Sequence, residues 1–526
     1  MAIKRYIADA DNTITNAFLE DLSTRATGSN MGASDILEVF TIYGQGSGSA
    51  GEGKSTEISR ILIKFPVGNI SEDRTNSLVP ASGSVSFYLK MYNARHSQTT
   101  PRDFTLDVTP VNRAWQEGTG MDMNNYSDLV HDKPGSNWMS ASSTAGWTIP
   151  GGDFYTGSWG LTASFDIGNE DVELDITELV EEWIGGDQLS NYGICLKFTS
   201  SQEPYFSSSA IAEDNGIAAA EHENGVLHNL TGSYKSYYTK KFFGRGTEFF
   251  YSRPAIEARW DSSTRDDRGQ FYYSSSLAPP EENMNTLYLY NYVRGRLRNI
   301  PAIEDGNVYV DIYKPSNSSN EPSGTPLTQV VREASEICSG LFPATGGWVS
   351  TGIYSCSVGI TGGTTPDTLL LDVWHGGDAG ETYFTGTIYP KTLEASHYNP
   401  GGRYVTTMTN LRPIYSPRET ARFRLHVREK DWSPTIYTKA SKNIENTTID
   451  SGSYRIFRIT DELEVIPHNT GSDLATFLSF DVTGNYFDLE VALLEKDYAY
   501  GIGLAYYNGS IDSWVEQSET FKFRVE

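Results

Sequence analysis

Between residues 171 and 200 the hydrophobic period of the chain changes twice, and this restricts the fold more than any other stretch does. VELDI alternates Val172, Leu174 and Ile176 with Glu173 and Asp175, the period of a half-buried strand. Asp175 and Glu178 then have the spacing of a capping box. Leu179, Val180, Trp183 and Ile184 follow at helical spacing until Gly185 and Gly186 stop the run. Tyr192, Ile194, Leu196 and Phe198 alternate again. The spacing predicts one short helix over 177–184, held between two strands.

Elsewhere the period of two dominates. DILEVFTIYG, EISRILIKFPV, SVSFYLKMYNA and FTLDVTPV are strand-like runs in the first half, with Pro66 ending the second of them. TLYLYNYV, VYVDIYKP, GWVSTGIYSCSVGI, DTLLLDVWHG and YFTGTIYP follow, then RFRLHVRE, SYRIFRIT, FLSFDVTGNYFDLEVALL, YAYGIGLAYY and FKFRVE. With 49 Gly and 22 Pro as punctuation, the chain reads as all-β. Its 526 residues exceed one hydrophobic core. Three serial β-sandwich domains are expected, over 1–262, 271–396 and 397–526, the first jelly-roll-like with the single short helix. The charged, Ser-rich stretch 261–270 is the expected linker. No fixed-period repeat is present, so the modules differ from one another.

Several segments resemble known families. The pattern at 175–197, with Asp107 to Val111, Trp115 to Gly118, Arg60 to Phe65, Asn30, Gly32, and Tyr251 to Pro254 before Trp260, resembles DNRLRE-type modules. These are β-sandwich domains related to the disaggregatase family and described as carbohydrate-binding-like. The resemblance covers about 1–262 and fails at about 207–237, an insertion it does not explain. The opening MAIKRYIADADNTITNAF and the segments 422–438 and LSFDVTGNYFDL are similar to virion structural proteins of tailed marine phages, in particular large cyanophage myoviruses. That resemblance implies a non-enzymatic building block or decoration of the tail, neck or capsid. Such a protein would be made in the host cytoplasm, be present in the virion as a homo-oligomer or in many copies, and contact other virion proteins. The alternative it leaves open is a carbohydrate-binding protein that adsorbs to cell-surface glycan.

Charge and motifs narrow the function classes. Sixty-seven acidic against 41 basic residues give a net charge of −26, and no basic run is present, so nucleic acid and anionic membranes are poor partners. The first twelve residues have no apolar core of an export signal, and no run is long enough to span a bilayer. Residues 48–55 satisfy GxxxxGK[ST], the phosphate-cradling loop. Pro66 and Gly68 cut short the helix that such a loop must open, so a solvated hairpin tip is the expectation. His222 and His228 are six apart, whereas a zinc helix needs four. Asp9, Asp11 and Asn12 begin like a Ca²⁺ loop but lack its later Gly and Glu. No cofactor, metal or catalytic residue is expected. Cys195 reads as a buried strand residue, while Cys338 and Cys356 could pair. Among the tryptophans, Trp183 and Trp374 fall in periodic runs and read as core. Trp138 and Trp147 lie in the long polar loop 117–160, and are the two expected to stand exposed as stacking platforms for a glycan.

Overall fold

The computed structural model describes residues 2–19, 24–43, 56–95, 100–121, 135–155, 157, 159–186, 188–205, 227, 229–233, 237–275, 278–279, 283–316, 321–333, 336–340, 343–361, 367–377, 381–391, 402–430, 446–471 and 473–526. The chain is all-β and divides into two compact units, 2–260 and 261–526. The look-alike phosphate loop at 48–55 and both His222 and His228 lie outside the described residues.

In the first unit the strands are β1 (Ile3–Ile7), β2 (Ala10–Thr15), β3 (Ile36–Tyr43), β4 (Thr56–Lys64), β5 (Ser86–Met91), β6 (Phe104–Pro110), β7 (Ser140–Ser142), β8 (Ala145–Gly146), β9 (Leu161–Phe165), β10 (Val172–Asp175), β11 (Ile194–Phe198), β12 (Tyr237–Phe243) and β13 (Ala255–Arg259). One sheet has the order β1-β13-β5-β10. The other has β12-β3-β4-β11-β6-β9, with β2 also on β4. The chain crosses from one sheet to the other between β1 and β2, β4 and β5, β5 and β6, β9 and β10, β10 and β11, and β12 and β13. β5 and β6 bury every second side chain, as their sequences require. The core between the sheets holds Phe87, Leu89, Leu106, Val108 and the stacked rings of Phe104 and Phe165, 4.9 Å apart.

The expected helix is present as α2 (Thr177–Gly185), with Leu179, Val180 and Trp183 buried and Gly186 closing it at φ +73°. The capping box is not formed. The N-cap is Ile176, and Asp175 Oδ1 instead accepts from Thr177 N at 2.9 Å and Thr177 Oγ1 at 2.6 Å. Thr177 Oγ1 accepts from Phe87 N at 2.8 Å, which ties the helix to β5.

A second helix corrects the expectation of one. α1 (Val67–Thr75) begins directly after Pro66. The fixed φ of proline suits a helix start as well as a strand end, and only Val67 and Ile70 are buried, so the run carries little periodicity. Arg74 clamps α1 to α2 through two bonds to Glu181, at 2.7 and 2.6 Å.

The second unit continues with β14 (Asn285–Tyr290), β15 (Tyr292–Val293), β16 (Arg296–Leu297), β17 (Val308–Pro315), β18 (Pro322–Ser323), β19 (Gln329–Glu333), β20 (Glu336–Gly340), β21 (Ala344–Ser350), β22 (Ile353–Ile360), β23 (Leu370–His375) and β24 (Thr382–Ile388). Most of these form one sheet, β20-β19-β22-β21-β17-β23-β24, with β14 on β22. It folds over at β21, whose first part pairs with β17 and whose second part pairs with β22. Gly346 stands at this corner because a Cβ there would lie 2.3 Å from Ser355 O. Leu287, Val310, Tyr354, Val358 and Trp374 fill the space enclosed. Cys356 is a free, buried thiol, and the side chain of Cys338 lies outside the described residues.

The remaining strands are β25 (Tyr404–Met408), β26 (Ile414–Tyr415), β27 (Thr420–Glu429), β28 (Gly452–Arg458), β29 (Glu464–Ile466), β30 (Ser479–Asp481), β31 (Gly484–Glu490), β32 (Ala499–Asn508), β33 (Ser513–Glu516) and β34 (Phe521–Val525). They make a four-stranded sheet, β25-β27-β31-β30, and a six-stranded one, β26-β34-β32-β28-β29 with β33 on β32. Tyr454 stacks on Phe487 at 4.1 Å inside this region, and Phe423 stacks on Phe487 at 5.1 Å.

The stretch read as a linker is ordered within the second unit. Thr264 O accepts from Phe480 N, and Phe480 O accepts from Asp266 N, both at 3.0 Å, so 264–266 run beside β30. Arg268 then donates to Asp372 Oδ2 on β23 at 2.6 Å. This strap belongs to the packing of 261–526; a charged, Ser-rich composition does not by itself make a segment free.

Candidate functional site

β4 reads RILI and β11 reads ICL, and both bury consecutive residues: Ile61, Leu62, Ile63, Ile194, Cys195 and Leu196 are all fully buried. A strand apolar on both faces needs a cover on each side. The inner cover is the core of the sandwich. The outer cover is the loop after β6, which folds back on the sheet and lays Trp138, Ala141 and Trp147 over Ile58, Leu62 and Cys195.

This overturns the expectation for Trp138 and Trp147. Trp138 is 0% and Trp147 7% exposed, so neither is a surface platform. They are brought together as the second hydrophobic cluster of the first unit. Trp147 Nε1 donates to Asn137 O and Trp115 Nε1 to Tyr192 O, each at 2.8 Å. The burial of Cys195 under this cover pushes its thiol up to about 12, which removes it as a nucleophile at neutral pH.

The loop is held at its root by a polar knot. Asn30 Nδ2 donates to Glu117 O and Ser136 O, both at 2.7 Å, and its Oδ1 accepts from Gly32 N and Gly120 N. Glu117 takes two bonds from Arg245 Nη2, each 2.8 Å. A Cβ on Gly32 would lie 2.1 Å from Glu117 O, and Gly118 has φ +83°. Asp11 and Asn12 are buried in the same knot. Asp11 Oδ2 accepts from Arg245 N, and Asn12 Nδ2 donates to Ser136 O at 2.9 Å. Burial, with the charge of Glu117 added, pushes the Asp11 carboxyl up to about 6. Asp9, by contrast, is exposed, so the three oxygens read as the start of a Ca²⁺ loop do not converge. Among the described residues no group of three or more His, Cys, Asp or Glu could hold a metal, and no helix is long and apolar enough to cross a membrane.

Beyond the tryptophans the outer face opens into a groove of about 470 Å³, lined by Arg60, Asp107, Thr109, Phe154, Tyr155 and Lys197 among others. Its floor follows from strand register. Lys197 stands opposite Asp107, Asp107 opposite Thr162, and Arg60 lies one step beyond the pair Ile61 and Leu196. Lys197 pairs with Asp107 at 3.1 Å. Arg60 lies between the rings of Trp138 and Phe154, 5.3 and 5.4 Å from their centroids, and it donates to Gly151 O at 2.8 Å and to Glu203 Oε1 at 3.3 Å. Each cation on the floor therefore has its own carboxylate, while Thr109 Oγ1 is buried without a partner among the described residues. Phe154 and Tyr155 were not singled out in the sequence. Their signal, two aromatics following a run of glycines at the end of the long loop, is weak.

No known protein family matches the chain, and no curated protein matches it. Among solved structures it is similar to a marsupial T cell receptor at 12% identity, over 49% of this chain and 71% of that one, with a TM-score of 0.15. It is also similar to the N-terminal Ig1-2 module of the Drosophila receptor protein tyrosine phosphatase DLAR at 11% identity, over 46% of this chain and 98% of that one, with a TM-score of 0.13. Likeness at these scores carries no argument about this chain.

Proposed function

We propose that this chain is a non-enzymatic structural component of a tailed-phage virion, a building block or decoration of tail, neck or capsid that meets other virion proteins in several copies. The observation that carries this reading is where the buried ionisable side chains are spent. Glu257 lies between Arg5 and Arg259, Asp372 holds Arg268, and the ammonium of the fully buried Lys240 donates to Asn93 Oδ1, Gly168 O and Glu170 O. A catalyst keeps such groups turned toward a cleft, whereas here they are closed into fixed partners that brace the sandwiches. The resemblance of both ends of the sequence to phage structural proteins supplies the setting. Mass spectrometry of purified virions is the test. The chain is expected in the particles in many copies, and its absence from them overturns the reading.

The groove favours a second reading, a carbohydrate-binding host-adsorption protein. Its volume lies within the range of small-ligand sites. A floor of neutralised charges beside two aromatic rings suits an uncharged, hydroxyl-rich ligand. A glycan array would show selective binding lost in both Asp107→Ala and Tyr155→Ala; no selective binding removes this reading and leaves the first.

A further inference from the structure

Lys240, on β12, reaches from one sheet of the first unit to Asn93, in the segment that leaves β5 of the other. It is fully buried, and its Nζ stands 4.8 and 5.2 Å from the ring centroids of Phe165 and Phe242. Buried lysines are ordinarily paired with a carboxylate. Among the described residues this one has none. Its three donors go to neutral oxygens, Asn93 Oδ1 at 2.7 Å, Gly168 O at 3.0 Å and Glu170 O at 2.7 Å. Burial pushes the ammonium down to about 8 against the charges of Glu170 and Asp171. Roughly a tenth of it is then neutral amine at pH 7.

The surroundings fix where that amine points. A neutral amine keeps two N–H bonds. With these given to Gly168 O and Glu170 O, its lone pair takes the remaining tetrahedral direction, toward Asn93. Because Oδ1 is 2.7 Å from Nζ and a C=O bond is about 1.2 Å long, the Asn93 Cγ is no more than about 3.9 Å away. Both sides of the contact are held. Glu170 Oε1 accepts from Asp166 N at 2.9 Å and Ile167 N at 2.6 Å, which fixes the turn carrying the two carbonyls. Asn93 N donates to Asp171 Oδ1 at 2.7 Å, and the residues beside it bond to β12 through Phe243 N on Tyr92 O and Ala94 N on Lys241 O, each at 3.0 Å.

We propose that Lys240 and Asn93 are joined by an isopeptide bond that the folded chain forms within itself. Nζ attacks Cγ, the new Nζ–Cγ bond replaces the Cγ–Nδ2 bond, and a proton passes from Nζ to Nδ2, which departs as ammonia. No oxidant, reductant or second substrate is consumed. Asp171, bound to the backbone N–H of the same asparagine, is the carboxylate that relays the proton. Attack on an amide is slow between free molecules, but a held pair reacts as if one partner were present at on the order of 10⁵–10⁸ M. The product is a neutral amide, so a buried cation disappears. It also ties one sheet to the other across 147 residues of chain. The bond requires nothing of a virion and is read on the purified chain.

After incubation at pH 8, mass spectrometry of the denatured full chain is expected to find it lighter than its sequence by one ammonia. Trypsin should release a branched peptide in which Asn93 is joined to Lys240 and the chain is uncut after Lys240. Lys240→Arg and Asn93→Ala should each restore the full mass. Asp171→Asn should gain the bond about a hundredfold more slowly. Because the branched peptide is read on the wild type, misfolding of a variant does not mask it. A wild-type chain of full mass, cut by trypsin after Lys240, overturns the proposal. So does a loss of ammonia that persists in Lys240→Arg, which would place the loss in a ring closed on the backbone. Bond formation at the wild-type rate in Asp171→Asn overturns the relay.

Discussion

Glu257 in the first unit and Asp266 in the second are almost equally buried, 1% and 3% exposed, yet they end at opposite limits of carboxylate behaviour. Burial alone would push Glu257 up, but the charges of Arg5 and Arg259 overcome it and hold the group at about 2. Burial dominates at Asp266 and pushes it to about 6. The difference lies in the partners. Glu257 Oε2 accepts from Arg5 Nε at 2.5 Å and its Oε1 from Arg259 Nε at 2.7 Å, so two cations reach this carboxylate, the second of them shared with Glu173. Asp266 has one, Arg268 at 3.1 Å, and Arg268 binds Asp372 more closely at 2.6 Å. The charge of Asp372 then adds to the rise at Asp266. The supply of cations, and not depth, decides which buried acid stays ionised.

The hardest test of that contrast is Glu257→Gln. It leaves Arg5 buried against a neutral amide and Arg259 with Glu173 as its remaining carboxylate, and should cost about 3–5 kcal/mol, read by hydrogen exchange of peptides from 2–260 in the full chain. A loss below about 1 kcal/mol would mean that the two guanidiniums find other partners, and the contrast would fail.

A smaller effect separates the sites by pH. A carboxyl raised to about 6 when folded keeps a proton that the unfolded chain releases near 3.8. Its contribution therefore falls as pH rises through this window, and Asp266 alone should add on the order of 1 kcal/mol to 261–526 between pH 7 and pH 5. Asp266→Asn should remove that share and leave the share of Asp267, which is also raised to about 6. Glu257 acts in the other direction. Its stabilisation is present above about 4.5 and is lost as pH falls toward about 2. Asp11, also raised to about 6, should give 2–260 a slope like that of Asp266. Asp11→Asn then shows that the contrast belongs to individual sites and not to units.

The smallest change is expected at Asp267. Burial pushes it to about 6, but its Oδ2 accepts from Thr286 N at 2.6 Å, and an amide oxygen can accept in its place. Asp267→Asn should shift stability at pH 5 by no more than about 0.5 kcal/mol in a melting experiment. A larger loss would show that the strap depends on the charge itself.

Much of the scaffold could be read from the residues. VELDI, the apolar face through Trp183 and the stop at Gly186 specify β10 and α2, because local period and core burial agree there. α1 escaped because two buried residues in nine leave almost no period. The site was misread for a related reason. A loop rich in Gly, Ser and Asp looks solvated, and only the doubly apolar RILI and ICL of the strands beneath it hint that something must cover them. Trp138 is the cover. The groove floor was invisible in sequence, because Lys197 and Asp107 are 90 residues apart and meet only through the register of β11 on β6. Asn30, Gly32, Glu117 and Gly118 were noticed as a pattern without a cause. The cause is the knot, in which one amide side chain serves four backbone groups and leaves no room for a Cβ at Gly32.

β21 gives its region of the second unit a mechanical property. A sandwich made of two separate sheets can part along its apolar seam like the halves of a shell, breaking side-chain contacts alone. Where one strand is hydrogen-bonded to β17 at one end and to β22 at the other, opening the seam must also tear a backbone ladder. Under tension the layers around Trp374 should therefore resist prying until β21 peels, so that this region yields in a single step, a useful trait in any part that carries a load between neighbours.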